Sequence, residues 1–366
     1  EHQSSLNFSH IIIVADVSVN VLTSSSITAT GRGYSVLNAP DARSEFVGAT
    51  SFLGSSGGSH AGVGGQGYSA STPEPLNDTS FALFNTFDAS HHWGLPGGTG
   101  NEANGEQGSF GGGSVSITTA ALMVDGTVAA NGMSPANSVA GGGGGGTVVI
   151  NVDSLSGSGS LEARGGVGGR HSPKVTVAHG GGGGGGRILA NIGTTDGFSG
   201  EYIVAGGSGF LSGSAGTVYK LLPGSSGGDL VIDNKGELSL SSTSITQSVT
   251  SNDGLLDFLV IANSAKVVIR MPTSKDFALS HLSSDTTGSL SLINGTVFSL
   301  RNPTFVPTGT SLSQLNLSDI SMFCRDAVIN ATDVVVSRGA TLYLSELGTN
   351  IDGSGPSDYV FNSICV

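Results

Sequence analysis

Apolar and polar residues alternate in short runs along this chain, and no long stretch places apolar residues at i, i+3, i+4 and i+7. The runs "HIIIVADVSVNV" (10–21), "DLVIDNKGELSLSS" (229–242), "LDFLVIANSAKVVIR" (256–270), "TGSLSLINGTVFSLRN" (287–302) and "VVVSRGATLYL" (334–344) are rich in β-branched residues and read as strands. Asn-Lys-Gly at 234–236 and Asn-Gly at 294–295 supply turns between them. The pattern predicts an all-β chain.

Three segments repeat: "GGGSVSITTAALMVDGTVAANG" (111–132), "GGGTVVINVDSLSGSGSLEARG" (144–165) and "GGGRILANIGTTDGFSGEYIVAGG" (184–207). Each holds a glycine run, a strand, an interval containing a glycine, a second strand and a closing glycine. From Gly113 to Gly126 and from Gly146 to Gly159 the spacing is 13 residues, and from Gly186 to Gly200 it is 14. An earlier copy of the second half stands at "SSITATG" (25–31). The stretches after each closing glycine vary, long over 32–110 and short over 133–140 and 166–179. Constant strands with variable excursions are what a solenoid of stacked turns produces, so the repeat predicts a parallel β-helix with glycine-rich rungs. Glycine density falls after "SGSAGTVYKLLPG" (212–224). That sets an expected boundary, with a glycine-rich β-helix over 1–224 and ordinary rungs continuing over 225–366.

Glycine supplies 60 of the 366 residues. Polyglycine standing alone is a flexible linker. A linker has no reason to keep a fixed distance to the next pair of strands. Ordering the seven glycines of 180–186 costs on the order of 0.5–1 kcal/mol each relative to alanine, an expense that only a bonded or tightly packed arrangement offsets. The runs are therefore expected to pack, against one another within the molecule or as side-chain-free faces between molecules. The residues concerned are Gly111, Gly112 and Gly113; Gly141, Gly142, Gly143, Gly144, Gly145 and Gly146; and Gly180, Gly181, Gly182, Gly183, Gly184, Gly185 and Gly186.

The blocks "GGSHAGVGGQGY", "GSFGGGSVSI", "AGGGGGGTVVI" and "HGGGGGGGRILANI" resemble the extracellular glycine-rich proteins of plants, protists and other eukaryotes, over roughly residues 20 to 222. The resemblance implies a right-handed parallel β-helix and a surface or extracellular role, such as a component of mastigoneme-type surface fibres. It implies no catalytic residues.

Net charge is −13, with 14 basic and 27 acidic residues and no basic cluster. That lacks the electrostatic footprint of a nucleic-acid or anionic-membrane partner. No run of eighteen apolar residues is present to span a bilayer as a helix. The first residue is Glu1, without Met or signal peptide, which points to a mature or truncated chain. Five sequons, at Asn7, Asn77, Asn294, Asn316 and Asn330, fit a secreted, N-glycosylated protein. Cys324 and Cys365 fit a disulfide in that compartment, worth about 4 kcal/mol if closed; two reduced, buried thiols are the other reading.

Candidate chemistry is sparse. Thr147 and Arg187 follow the long glycine runs where a phosphate loop needs Lys-Ser/Thr. "GGTGNE" (97–102) is a single near miss to a calcium repeat, so the acidic balance leaves room only for loosely bound Ca2+, and no cofactor is expected. A β-helix that cleaves acidic polysaccharide would need clustered charges; Asp153, Arg164, Arg170, Lys174 and Arg187 are the candidates, and solvated loop ends explain them as well. "HHWG" (91–94) with Phe81, Phe84 and Phe87 reads as a small core pinning the long excursion, or as a sugar-stacking or metal-binding patch. His60 and His179, beside glycine runs, read as hydrogen-bonding turn residues rather than metal ligands. The expected function is structural: a subunit of an extracellular filament, wall or cell-surface coat that polymerises with itself, end to end or laterally, alongside cell-wall polysaccharide. The alternatives are a polysaccharide-binding adhesin and a polysaccharide lyase or hydrolase.

Overall fold

The computed structural model describes residues 5–7, 9–35, 55–69, 93–98, 108–135, 139–169, 178–225, 227–246, 255–270, 277–285, 287–293, 298–301, 311–318, 321–325, 330–337, 341–344 and 360–365. Among the described residues the chain is all β, with no helix and with strands paired almost entirely in parallel.

A short sheet holds, in order, β1 (Ser5–Asn7), β3 (Ser26–Thr28), β6 (Thr127–Ala129), β8 (Ser160–Glu162) and β11 (Glu201–Ile203). A long sheet of eleven strands begins with β2 (His10–Val21), β5 (Ser114–Val124), β7 (Thr147–Gly157), β10 (Arg187–Phe198) and β12 (Thr217–Leu221). The predicted run 10–21 is β2 itself. The path repeats. A glycine-rich segment, here termed inbound, leads into a long-sheet strand; the chain turns, forms a short-sheet strand, and leaves in an outbound segment. Alternate residues of the long-sheet strands, among them Ile11, Val115, Val148, Ile188 and Val218, face Ile27, Val128 and Leu161 of the short sheet in one apolar core. The 14-residue interval of the third repeat is explained here. β10 has one residue more than β7, and the pairing shifts by a bulge between Ile192 and Thr195.

The long sheet continues through β13 (Asp229–Asp233), β15 (Leu255–Ala262), β17 (Phe277–Ser284), β19 (Phe298–Arg301), β21 (Ser321–Arg325) and β23 (Thr341–Leu344). A third sheet pairs β14 (Thr243–Thr246), β16 (Lys266–Arg270), β18 (Ser289–Ile293), β20 (Ser311–Ser318), β22 (Asn330–Ser337) and β24 (Val360–Cys365), all parallel. Where glycine density falls, the strand direction reverses. β12 and β13 are antiparallel, joined by a hairpin with Gly224 and Gly228 at positive φ. In-register partners share a sheet face. Val231, opposite Val218, packs on the first core, while Leu230 and Ile232 are fully buried on the other face in line with Leu259 and Ile261. The two halves thus keep their cores on opposite faces of one sheet.

Candidate functional site

The glycine runs lie inside the molecule. In run 141–146 no N–H bonds within the run. Gly141 and Gly144 donate to the carbonyls of Gly98 and Leu95 (3.1 and 2.9 Å), Gly142 and Gly145 to those of Gly181 and Gly184 (3.0 and 2.9 Å), and Gly143 and Gly146 to those of Met133 and Ala130 (2.9 and 2.6 Å). A Cβ added at the same residues would strike three further segments. It would meet Ser56 and Ser59 from Gly141 and Gly144, Gly166 and Ala163 from Gly142 and Gly145, and Phe110 and Gly113 from Gly143 and Gly146. Six backbone segments therefore surround the run, each met at every third residue. Three residues per turn with no internal hydrogen bond is the polyproline-II conformation, here cross-bonded into a lattice. Run 180–186 repeats the arrangement. Gly180, Gly183 and Gly186 donate to Gly169, Gly166 and Ala163; Gly181 and Gly184 to Ser55 and Gly58; Gly182 and Gly185 to Leu211 and Ser214.

Glycine is required here by close approach rather than by unusual φ. The last inbound glycines form a column: a Cβ on Gly216 would lie 1.8 Å from the Gly186 carbonyl oxygen, on Gly186 2.2 Å from that of Gly146, on Gly146 1.9 Å from that of Gly113, and on Gly113 2.3 Å from that of Ser9. At the far turn Gly200, Gly159 and Gly126 stack in the same way on Ser25. Three residues earlier in the inbound segments Gly213, Gly183 and Gly143 stack on Phe110. Each column points toward the preceding repeat of the path, and each ends on a residue that carries a side chain: Ser9, Ser25 and Phe110.

The two ends of this stack differ. Beyond β11 the core is closed by Phe198 and Tyr202, whose rings meet edge to face at 5.2 Å, with Lys220 over the Tyr202 ring and Leu222 and Val231 alongside. Burial, with Asp196 nearby, pushes the Tyr202 phenol above the ordinary tyrosine range. At the other end β2 pairs only with β5 among the described residues, and β1 only with β3. Ile12, Val14 and Val17 of β2 are 60, 72 and 75 % exposed. Beside this end lies a groove of about 610 Å3 lined by Ser9, Thr30–Gly33, Ser35, Phe110 and Met133.

The glycines singled out in the sequence, 111–113, 141–146 and 180–186, are all buried in the lattice. Asn7, Asn316 and Asn330 fall in β1, β20 and β22, Cys324 in β21 of the long sheet and Cys365 in β24 of the third; Asn77 and Asn294 lie outside the described residues. The candidate charges do not gather. Arg187 is buried at the start of β10 opposite Thr147, Asp153 is exposed six positions further along β7, and Arg164 pairs with Glu162 at 3.8 Å. Arg170, Lys174, Phe81, Phe84, Phe87, His91 and His92 lie outside the described residues. Trp93 packs on Tyr34, with ring centroids 5.2 Å apart. His60 is buried with its N–H donating to the Gly62 carbonyl, and His179 lies in β9 (Ala178–His179), paired antiparallel with β4 (Tyr68–Ser69). Among the described residues no three His, Cys, Asp or Glu side chains are grouped to hold a metal ion. Phe110, Ser9 and Ser25 drew no attention in the sequence; the available signal was the break in glycine at 110, where the later repeats keep it.

No family model, curated protein or solved structure matches this chain.

Proposed function

We propose that the chain is a structural subunit of an extracellular filament, wall or cell-surface coat, built as a right-handed parallel β-helical rod that assembles with copies of itself. The observation that carries this reading is the twelve-residue edge strand β2, which among the described residues pairs only with β5 and turns Ile12, Val14 and Val17 to solvent. A long edge strand is a template for another strand; β2 bulges between Ala15 and Ser18, and ahead of that bulge residues 10–15 pair in unbroken register with β5 and leave their other edge open among the described residues. The far end of the long sheet, β23, belongs to the half without glycine columns, so joining it to β2 brings no lattice segment against Ser9, Ser25 or Phe110. Because the strand direction reverses at β12 and β13, head-to-tail contact between copies makes an antiparallel ladder, as that pair already does. Such a heterologous contact propagates as a filament. The glycine lattice suits this role, since its backbone bonds add rigidity beside the apolar core between the two sheets. Secretion and N-glycans on the sequons belong to the same reading.

The purified full chain should form filaments above a threshold concentration, with an axial repeat of one subunit, in electron micrographs and light scattering. Ile12→Lys with Val14→Lys should raise that threshold by at least about tenfold, about 1.4 kcal/mol per contact, while leaving the melting temperature nearly unchanged because both side chains are exposed. Rods that stay monomeric at high concentration, or a double variant that assembles as well as the parent, would sink the proposal.

A further inference from the structure

Ile12 and Val14 lie in the part of β2 ahead of its bulge, where the register with β5 is unbroken. Successive pairings align Ile12 with Ser116 and Val149, and on across the β12–β13 pair with Leu230, Leu259 and Leu282. In-register partners share a face of the sheet. Ile12 therefore stands on the face of the second core, opposite to the face on which Ile11 enters the first. The column is closed at each of those partners: Ser116 and Val149 are 7 and 1 % exposed, Leu230 and Leu259 0 %, and Leu282 7 %. It opens at Ile12, which is 60 % exposed. Two positions along, Val14 aligns with Thr118, Asn151 and Asn191, of which Thr118 and Asn191 are exposed. Where the inner strands meet water they carry hydroxyl and amide groups, whereas the edge strand carries a branched apolar side chain, 72 % exposed. A face that turns apolar at its edge strand is patterned for cover rather than for solvent.

The matching surface lies at the other end of the same sheet. The second core is held between the long sheet and the third, whose Ile269, Leu290 and Leu315 are also fully buried, and the two sheets take strands alternately along the chain. Their last strands, β23 and β24, are each paired on one side only among the described residues. Strands of the second half run opposite to those of the first. A second copy that continues the sheet unrotated therefore sets its β2 antiparallel to β23 and keeps each face on its own side. Ile12 and Val14 then fall on the side of the second core, at the place where that core ends. A copy given half a turn about the axis along which the strands stack would pair β2 in parallel with β23, present Ile11 there instead and leave Ile12 and Val14 in water. We infer that Ile12 and Val14 close the second core of a neighbouring copy at its β23–β24 end, and so select the antiparallel, unrotated junction. This inference rests on the assembly reading above and adds to it the face and the orientation of the contact.

The full chain carrying the photoreactive residue p-benzoylphenylalanine at Val14, and separately at Ile12 or at Asn191, is doped at a low fraction into unmodified copies, so that filaments form irrespective of the probe. Asn191 is exposed on the same face, three strand spacings or about 14 Å inward. The unmodified copies are isotopically heavy, which marks cross-links between chains in mass spectra. After irradiation the probes at Val14 and Ile12 should join peptides that contain 341–344 or 360–365 of another copy, and the probe at Asn191 should join none. Filaments in which the Val14 and Ile12 probes reach another β2 or no other chain, or in which Asn191 gives the same cross-links, would overturn the inference and leave assembly standing. Failure of the unmodified chain to form filaments would overturn both.

Discussion

Gly183→Ala is expected to abolish the native state of the glycine-rich half or to destabilise it by more than about 3 kcal/mol, at the upper end of overpacking costs. The added Cβ would stand 2.0 Å from the Gly143 carbonyl oxygen and 2.6 Å from its carbon, both backbone atoms. Those atoms cannot give way alone, because Gly143 itself donates to Met133 and accepts from Gly166. Displacing one strand displaces six. The control is Gly197→Ala, at an exposed position of β10 where the nearest atom, the Leu155 carbonyl oxygen, is 3.6 Å away and φ is not positive. That change should be neutral or stabilise by a few tenths to about 1 kcal/mol through the unfolded chain. Urea melts of the two variants check the contrast. Similar midpoints would mean that the lattice is not close-packed at Gly183.

Asn234→Ala should cost about 2–5 kcal/mol, the sum expected when several buried groups lose partners. Asn234 is 1 % exposed in the turn after β13. Its Oδ1 accepts from the Gly206 N–H at 2.9 Å, and its Nδ2 donates to the carbonyls of Gly213 at 3.3 Å and Glu237 at 2.6 Å. One side chain thus bonds an outbound segment, an inbound segment and the second half of the chain. Alanine leaves the Gly206 N–H and the Gly213 carbonyl facing each other's empty partner. Asn234→Asp should be no better, since it keeps the acceptor, loses both donors and buries a charge. Equilibrium unfolding checks this; a loss under about 1 kcal/mol for Asn234→Ala would show that the turn is not anchored through this residue.

Much of the β framework is legible in side chains. Alternation marks β2 and the strands of the second half, and constant spacing between glycines marks the repeated strand pairs, because each spaced glycine lies over the backbone of the preceding repeat. Even the extra residue between Gly186 and Gly200 has a structural counterpart in the β10 bulge. The lattice is not legible in the same way. A run of identical residues has no periodicity to read, and its period of three lies entirely in backbone contacts. Several of its strands, 55–59, 62–65 and 94–98, come from the 32–110 excursion, whose composition resembles a loop. The expectation that ordinary rungs simply continue past residue 224 did not include the reversal at β12 and β13. That reversal rests on two positive-φ glycines, Gly224 and Gly228, that look like any others in this chain. The groove was hidden for a related reason: Phe110 matters by being the residue that is not glycine in its column.

The central claim, that the glycine runs are cross-bonded interior strands, is tested most directly by amide hydrogen exchange of peptides spanning 139–147 and 178–187. All six N–H groups of 141–146 and all seven of 180–186 donate to carbonyls of other segments and are buried. They should therefore exchange only with global opening, as slowly as the core of β7 and β10. Exchange of these glycines at unstructured-chain rates while β7 and β10 stay protected would contradict the lattice and return the runs to the role of linkers.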